Sequence, residues 1–306
     1  MKYDDFCESL LDALRDEFGE EYSLELHEVM KNNDQKLEGF VILNDKYSVS
    51  PTFYLKNLYE EYQKGGSLSG IVEEICNLYQ MTMKKNQYAS LDFSYENCRD
   101  RVVFRLVSKE RNKEVLNEVP HIPFLDLEIV FYIVIENTKS GLSSVRVTNQ
   151  MLEYWEKTPH DLYCLALKNT ERLFPVRIEP MINLMKEMWE NKMESDFFEN
   201  LVKNENSFED KVYVITNESG LNGAASIIYE STLQKTGELL EGDYYLLPSS
   251  IHEVLVLSVN TSIDYEQLKQ MVYEVNEECV SAEEVLSDQV YFYDCLEKKL
   301  SLCTTE

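Results

Sequence analysis

Apolar positions along this chain switch between two periods. Tyr3, Phe6, Cys7, Leu10, Leu14 and Phe18 recur at helical spacing, so an amphipathic helix opens the chain. Ser23–Glu28 and Phe40–Leu43 alternate as strands do, and the polar Lys31–Gln35 stretch between them predicts a hairpin. After Pro51 a short helix is expected over Tyr54–Gln63, stopped by Gly65-Gly66. A longer helix follows, with Leu68, Ile71, Val72, Ile75, Tyr79 and Met83 on one face.

A similar order then recurs. The apolar run Leu127–Glu136 turns at Lys139-Ser140-Gly141 into Ser144–Val147. A short helix over Gln150–Glu156 precedes a longer one over Pro159–Glu171. Thr158 stands as N-cap, Pro159 at the first helical position and Asp161 at the place of a capping box. Strand, strand, short helix and long helix thus appear near 22–84 and near 127–172. The order reads either as an internal repeat or as a common packing solution.

Residues 180–207 read as a methionine-rich helical connector, with Met181, Met185, Met188 and Trp189 as a stripe. Beyond it, Val212–Thr216 predicts a strand, about Gly223–Leu239 a helix, and Tyr244–Leu247 and Val254–Val259 two further strands. The Pro248–Glu253 turn is too short for a parallel crossover, so the last two strands should pair antiparallel in one sheet with the first. Asp264–Cys279 carries an apolar stripe of Tyr265, Leu268, Val272, Val275 and Cys279. Ser281 and Glu284 are spaced as a second capping box for a short helix, and QVYFYD with KLSLCT closes the chain as a hairpin. Blocks of antiparallel strands with packed helices define an α+β class. Two domains are expected, 1–118 and 119–306.

Composition narrows the function classes. Apolar residues make up 44% of the 306 and aromatic ones 11%, enough for a sizeable core. Against 29 basic residues stand 56 acidic ones, a formal charge of −27. Such a chain repels phosphate backbones and anionic lipid surfaces, so neither direct nucleic-acid binding nor membrane binding is expected. The same charge suits solubility, attraction of a basic protein partner, or mimicry of a nucleic acid. The seven cysteines are odd in number and form no C-x-x-C, which fits thiols in a reducing compartment. MKYDDFCESLLDAL is too acidic for a signal peptide, and the run Ile129–Ile135 is too short to span a bilayer. A cytoplasmic location is the expectation.

Four groups of residues carry candidate chemistry. His252 beside Glu253 can be oriented and poised near neutral pH, although neighbours on a strand point to opposite faces. Ser249 and Ser250 offer hydroxyls, without a G-x-S-x-G elbow around them. Asn217, Asn222 and Gly223 lie in a loop before a helix start, where free N–H groups suit an anion; a tight turn with Asn222 as N-cap is the plainer use. Arg172 and Arg177 bracket Phe174-Pro175, either neutralising nearby carboxylates or forming a small anion site. Asn217 and His252 share a site only if the Val212 strand brings its C-terminal end to the Pro248–Glu253 turn. His27, His121, His160 and His252 are scattered, so no metal is expected, and no motif calls for a cofactor.

Four stretches also occur together and in order: SPTFYLKNLYEEYQKGG, FLDLEIVFYIVI, LPSSIHEV and VSAEEVLSDQVYFYD. Together they resemble domain-of-unknown-function family 5688 of gut Firmicutes. More distantly, the chain from Val145 onward is similar to the uncharacterised family 1444 of Bacillus, through the Asn217–Ala225 loop and the turn at His252. The resemblance implies a bacterial cytoplasmic protein and supplies no catalytic residue. The expected function is a binding or regulatory module working by protein–protein interaction. An enzyme centred on His252, such as a hydrolase, and an acidic nucleic-acid mimic are the alternatives.

Overall fold

The computed structural model describes residues 1–44, 50–84, 92–138, 141–183, 212–260 and 263–303. Contacts divide the chain into two compact units, Met1–Asn97 and Cys98–Glu306.

In the first unit, α1 (Tyr3–Phe18) buries Phe6, Leu10, Leu11 and Leu14 along one stripe, as its apolar spacing dictates. β1 (Ser23–Met30) and β2 (Lys36–Leu43) form the expected antiparallel hairpin, and β3 (Thr52–Tyr54) pairs with the far side of β2. α2 (Leu55–Gln63) and α3 (Leu68–Lys84) follow. The core joins Phe6, Leu10 and Leu14 of α1 to Phe40 and Ile42 of β2 and to Ile71, Ile75 and Tyr79 of α3.

The second unit begins with the end of α4 (Tyr95–Cys98) and β4 (Val102–Ser108). The boundary therefore falls upstream of the expected 118/119. β4 is the reason: it pairs with β6 (Leu127–Thr138) from Val102↔Ile133 to Ser108↔Leu127 and cannot be separated from it. α5 (Lys113–Glu118) and β5 (His121–Phe124) intervene. β5 and β7 (Gly141–Arg146) share the other edge of β6: β5 takes Leu127–Val130 and β7 takes Tyr132–Thr138. α6 (Asn149–Tyr154) and α7 (Pro159–Leu173) follow β7 directly, whereas in the first unit the third strand β3 stands between the hairpin and α2. At α7 the capping box is formed, with Asp161 N–H donating to Thr158 Oγ1 at 3.2 Å and Thr158 N–H to Asp161 Oδ2 at 2.8 Å.

Six antiparallel strands make the other sheet, in the order β13-β12-β10-β11-β9-β8. These are β8 (Val176–Pro180), β9 (Val212–Asn217), β10 (Tyr244–Leu247), β11 (Val254–Ser258), β12 (Tyr291–Asp294) and β13 (Lys299–Leu302). The connector expected over 180–207 lies almost wholly outside the described residues. Of it, Pro180 ends β8 and Met181 packs against the core cluster that contains Val212, Leu257 and Leu268.

The helix expected as one piece over Gly223–Leu239 is two. A 3-10 segment, Gly223–Ile228, gives way at an extended Tyr229 to α8 (Glu230–Leu240). The break lets Tyr229 lie beside Phe104 at 5.7 Å and donate from its hydroxyl to Leu167 O at 2.9 Å, which ties the segment to β4 and α7. On one face of the six-stranded sheet, α8 meets Tyr244, whose hydroxyl donates to Leu233 O at 2.8 Å. On the other face α9 (Tyr265–Glu278) buries Leu268 and Val272 against Val212, Leu247 and Leu257.

Candidate functional site

β9 and β11 run antiparallel with Val254 opposite Ile215, so the C-terminal end of β9 arrives at the Pro248–Glu253 turn. Asn217 and His252 therefore lie at the same end of the six-stranded sheet. Thr216 and Asn217 are buried. Thr216 Oγ1 donates to His252 O at 2.8 Å, and Asn217 folds back on its own loop, with Nδ2 donating to Leu221 O at 2.9 Å and Oδ1 accepting from Ser219 N–H at 3.0 Å. Asn217 is an Asx-turn residue, whose short amide satisfies the backbone of the bend it begins.

Asn222 is not a side-chain N-cap. Its backbone is left-handed (φ 55°), its side chain makes no cap bond, and its N–H points at His252 Nδ1, 3.2 Å away. Gly223 follows because nothing larger fits. A Cβ there would stand 2.3 Å from Thr216 Oγ1, 2.5 Å from His252 O and 2.8 Å from Asn217 N. Ala224 N–H then donates to Ile251 O at 3.2 Å, so the 3-10 segment starts against the turn rather than against a ligand.

The imidazole of His252 is held from both sides. A backbone N–H can only donate, so Nδ1 is the acceptor and Nε2 carries the proton in the neutral ring. Nε2 faces Glu284 Oε1 at 3.2 Å. Glu284 was expected to close a capping box with Ser281, but Ser281–Val285 is a turn, not a helix. The backbone from Glu284 to Ser287 is paired with the Pro248–Ile251 segment: Ile251 N–H donates to Glu284 O at 2.9 Å, Leu286 N–H to Ser249 O at 2.9 Å, and Ser287 N–H to Pro248 O at 3.0 Å. A helix would need those groups for itself.

Ser249 and Ser250 are buried, and Ser250 Oγ accepts from His252 N–H at 3.0 Å. His252 and Glu253 sit in the bend that precedes β11, not on a strand, so the rule of opposite faces does not separate them. Burial pushes the Glu253 carboxyl above its ordinary range. The Ser250 hydroxyl and His252 oppose that shift, and Glu284 adds to it. Four polar side chains, Ser250, His252, Glu253 and Glu284, thus sense one another at one sheet end.

Arg172 and Arg177 are not brought together on a common anion. Arg172 Nη2 donates to Asp100 O at 2.6 Å, and Arg177 forks onto Glu179 at 2.6 and 2.9 Å. Among the described residues no group of three or more His, Cys, Asp or Glu converges on a metal position. All seven cysteines are free. No described helix is long and apolar enough to cross a membrane. A pocket in the first unit, lined by Phe18, Tyr22, Cys76, Tyr79 and Met83, contains none of the candidate residues.

Sequence reasoning missed two features. Glu284 was read for its local spacing, and its long-range partner has no signature in the sequence. Arg105, Tyr132 and Arg146 were passed over. Their one signal is an arginine in the centre of the otherwise apolar strand VVFRLV.

Fold and site together define an α+β protein with antiparallel sheets and a polar cluster clasped at one sheet end. The chain belongs to a family of unknown function, DUF5688, whose model matches residues 3–295. No curated protein and no solved structure matches it.

Proposed function

We propose that this chain is a binding or regulatory module that acts through a protein partner. The observation that carries this reading is the double engagement of His252, by Asn222 N–H at Nδ1 and by Glu284 at Nε2. A general base needs a lone pair directed at substrate. Here the lone pair meets a backbone N–H, and the ring proton meets a carboxylate. The nearest serine hydroxyl contacts the backbone of His252, not its ring. What looks most like catalytic equipment is spent on joining three loops. The excess of 56 acidic over 29 basic residues suits a partner with a basic face, drawn in by long-range attraction.

The test is affinity capture from a bacterial lysate, with bound proteins identified by mass spectrometry. A specific basic partner should be retained by both wild type and His252→Ala and released as salt is raised. Retention of nothing beyond a charge-matched control protein sinks the reading. If the captured proteins bind nucleic acid and duplex DNA displaces them, the acidic-mimic reading takes its place. The chain itself should give no gel shift with duplex DNA or RNA at physiological salt.

Glu253 favours a second reading, an enzyme at the same sheet end. A carboxyl held above its ordinary range beside Ser250 and His252 is a candidate general acid. Hydrolysis of an ester or phosphoester panel by wild type, abolished in Glu253→Gln, would establish it.

A further inference from the structure

We propose that Arg105 and Arg146, flanking Tyr132 on one face of the four-stranded sheet, form a binding site for a phosphomonoester dianion. This site is distinct from the cluster at His252 and does not depend on the reading given to that cluster.

The register builds it. Arg105 on β4 stands opposite Val130, two positions before Tyr132 on β6, and Arg146 on β7 stands directly opposite Tyr132. Residues two apart on a strand share a face, as do directly paired ones, so all three side chains leave the same side of the sheet. The Arg105 guanidinium lies over the Tyr132 ring, 3.9 Å from its centroid, and Nη2 donates to Ser144 Oγ at 2.7 Å. Arg146 Nε donates to the Tyr132 hydroxyl at 3.2 Å, with its guanidinium 5.9 Å from the same ring. The tyrosine and the serine fix the two cations in place and use only a few of their N–H groups.

Neither arginine meets a carboxylate among the described residues, in a chain with 56 acids. Three other cations of the second unit are matched. Lys109 lies 3.4 Å from Glu128 on the same strand system, Arg111 grips Asp288 and Arg177 grips Glu179. Arg105 and Arg146 are only partly exposed, so water cannot fully replace a counter-ion. Burial draws the Arg105 proton affinity down, and Arg146 adds to that effect, while Tyr132 opposes it. Two like charges are thus held together in a half-buried place, with no carboxylate on either among the described residues.

An oxyanion supplies what the pair lacks. Each guanidinium presents a fork of N–H donors suited to phosphate or carboxylate oxygens. A phosphomonoester carries close to two negative charges at neutral pH, which matches two arginines where a carboxylate matches one. The group can come from a free phosphorylated metabolite or from a phosphorylated side chain of a partner protein.

Isothermal titration of the full chain at fixed ionic strength tests the site, with inorganic phosphate, O-phosphoserine and a short peptide bearing one phosphoserine as probes. Wild type should bind at least one of them saturably. Arg146→Gln should weaken that binding by about tenfold or more, the worth of one charged hydrogen-bonding partner. Arg146→Lys, which keeps the charge and the fold but not the fork, should fall between. Peptide binding well above that of O-phosphoserine assigns the source to a partner protein, and equal binding assigns it to a free metabolite. A parallel melting series with phosphate against chloride at equal ionic strength separates specific binding from screening of the chain's own −27. No saturable binding of any probe, or affinity unchanged in both Arg146 variants, overturns the proposal.

Discussion

The cluster around His252 and the cluster around Tyr132 are built from similar materials and used in opposite ways. At His252 a ring, a carboxylate and a left-handed backbone N–H satisfy one another. At Tyr132 two cations are placed on one sheet face and meet no carboxylate among the described residues. The His252 ring, which resembles active-site equipment in the sequence, is engaged on both nitrogens by the fold. The residues that look like an interruption of a strand keep unspent binding capacity. A polar residue's availability is decided by what its neighbours already supply, and that is a property of tertiary pairing.

The comparison breaks most sharply at Gly223. If the sheet end is a closed clasp, Gly223→Ala should be the most damaging single change there. Its Cβ would collide with Thr216 Oγ1 and with the backbone at His252 O and Asn217 N, none of which is the free end of a flexible side chain. The expected loss is about 3 kcal/mol in urea unfolding, near the upper end for overpacking. Gly220→Ala is the control. Its φ of 67° strains an alanine, but a Cβ there meets open space, so it should cost about 1 kcal/mol. Equal losses at the two positions would mean that the close approach is not what holds the turn.

Much of this fold was legible because its signals are local. The stripe of α1, the box at Thr158–Asp161 and the tight turn between β10 and β11 each depend on residues close in sequence. The turn also led to the correct condition for Asn217 and His252 to meet. What failed was non-local. Ser281–Glu284 has the same spacing logic as Thr158–Asp161, yet the Glu284 carbonyl and the amides of Leu286 and Ser287 that would continue a helix are taken by Pro248–Ile251, and only a turn closed on Ser281 O forms. Asn222 was read as a cap, but its left-handed backbone aims the N–H at a histidine 30 positions away. The units divide at Asn97/Cys98 because β4, whose run VVFRLV is interrupted by an arginine, pairs along its length with β6 far downstream.

His252→Ala ranks next. It removes two side-chain hydrogen bonds and leaves the Asn222 N–H and Glu284 unmatched, for an expected cost of about 1–2 kcal/mol. Glu284→Gln sharpens the claim, because an amide oxygen still accepts from Nε2. With Glu284 substantially exposed, the lost charge should matter by less than about 0.5 kcal/mol. A Glu284→Gln loss as large as that of His252→Ala would show that the pair works as an ion pair rather than as a neutral hydrogen bond.

Glu253 gives a smaller effect that depends on pH. A carboxyl held above its ordinary value in the fold binds more proton there than in the unfolded chain. Its contribution to stability therefore falls as pH rises from the ordinary carboxylate range through the raised value. Glu253→Gln should match wild type at the acidic end of that window and gain on it as pH climbs. Unfolding midpoints across the window check the sign, and a gap that stays constant or narrows contradicts the burial argument.

The smallest effect should fall at the other cluster, and its smallness is informative. Arg146→Gln loses the hydrogen bond from Nε to the Tyr132 hydroxyl and a distant contact with the ring. It also removes the like charge that disfavours the partly buried Arg105. Those terms oppose each other, so stability without added anion should change by no more than about 0.5 kcal/mol in either direction. Arg177→Gln provides the contrast, since it strips the counter-charge from the largely buried Glu179 and should cost clearly more. Arginines that serve the fold are expensive to remove, whereas arginines that await a ligand are cheap until the ligand arrives. Adding phosphate at constant ionic strength should then open a stability gap between wild type and Arg146→Gln that was absent before. A large loss in Arg146→Gln without any anion would place this pair among the structural arginines and erase the difference between the two clusters.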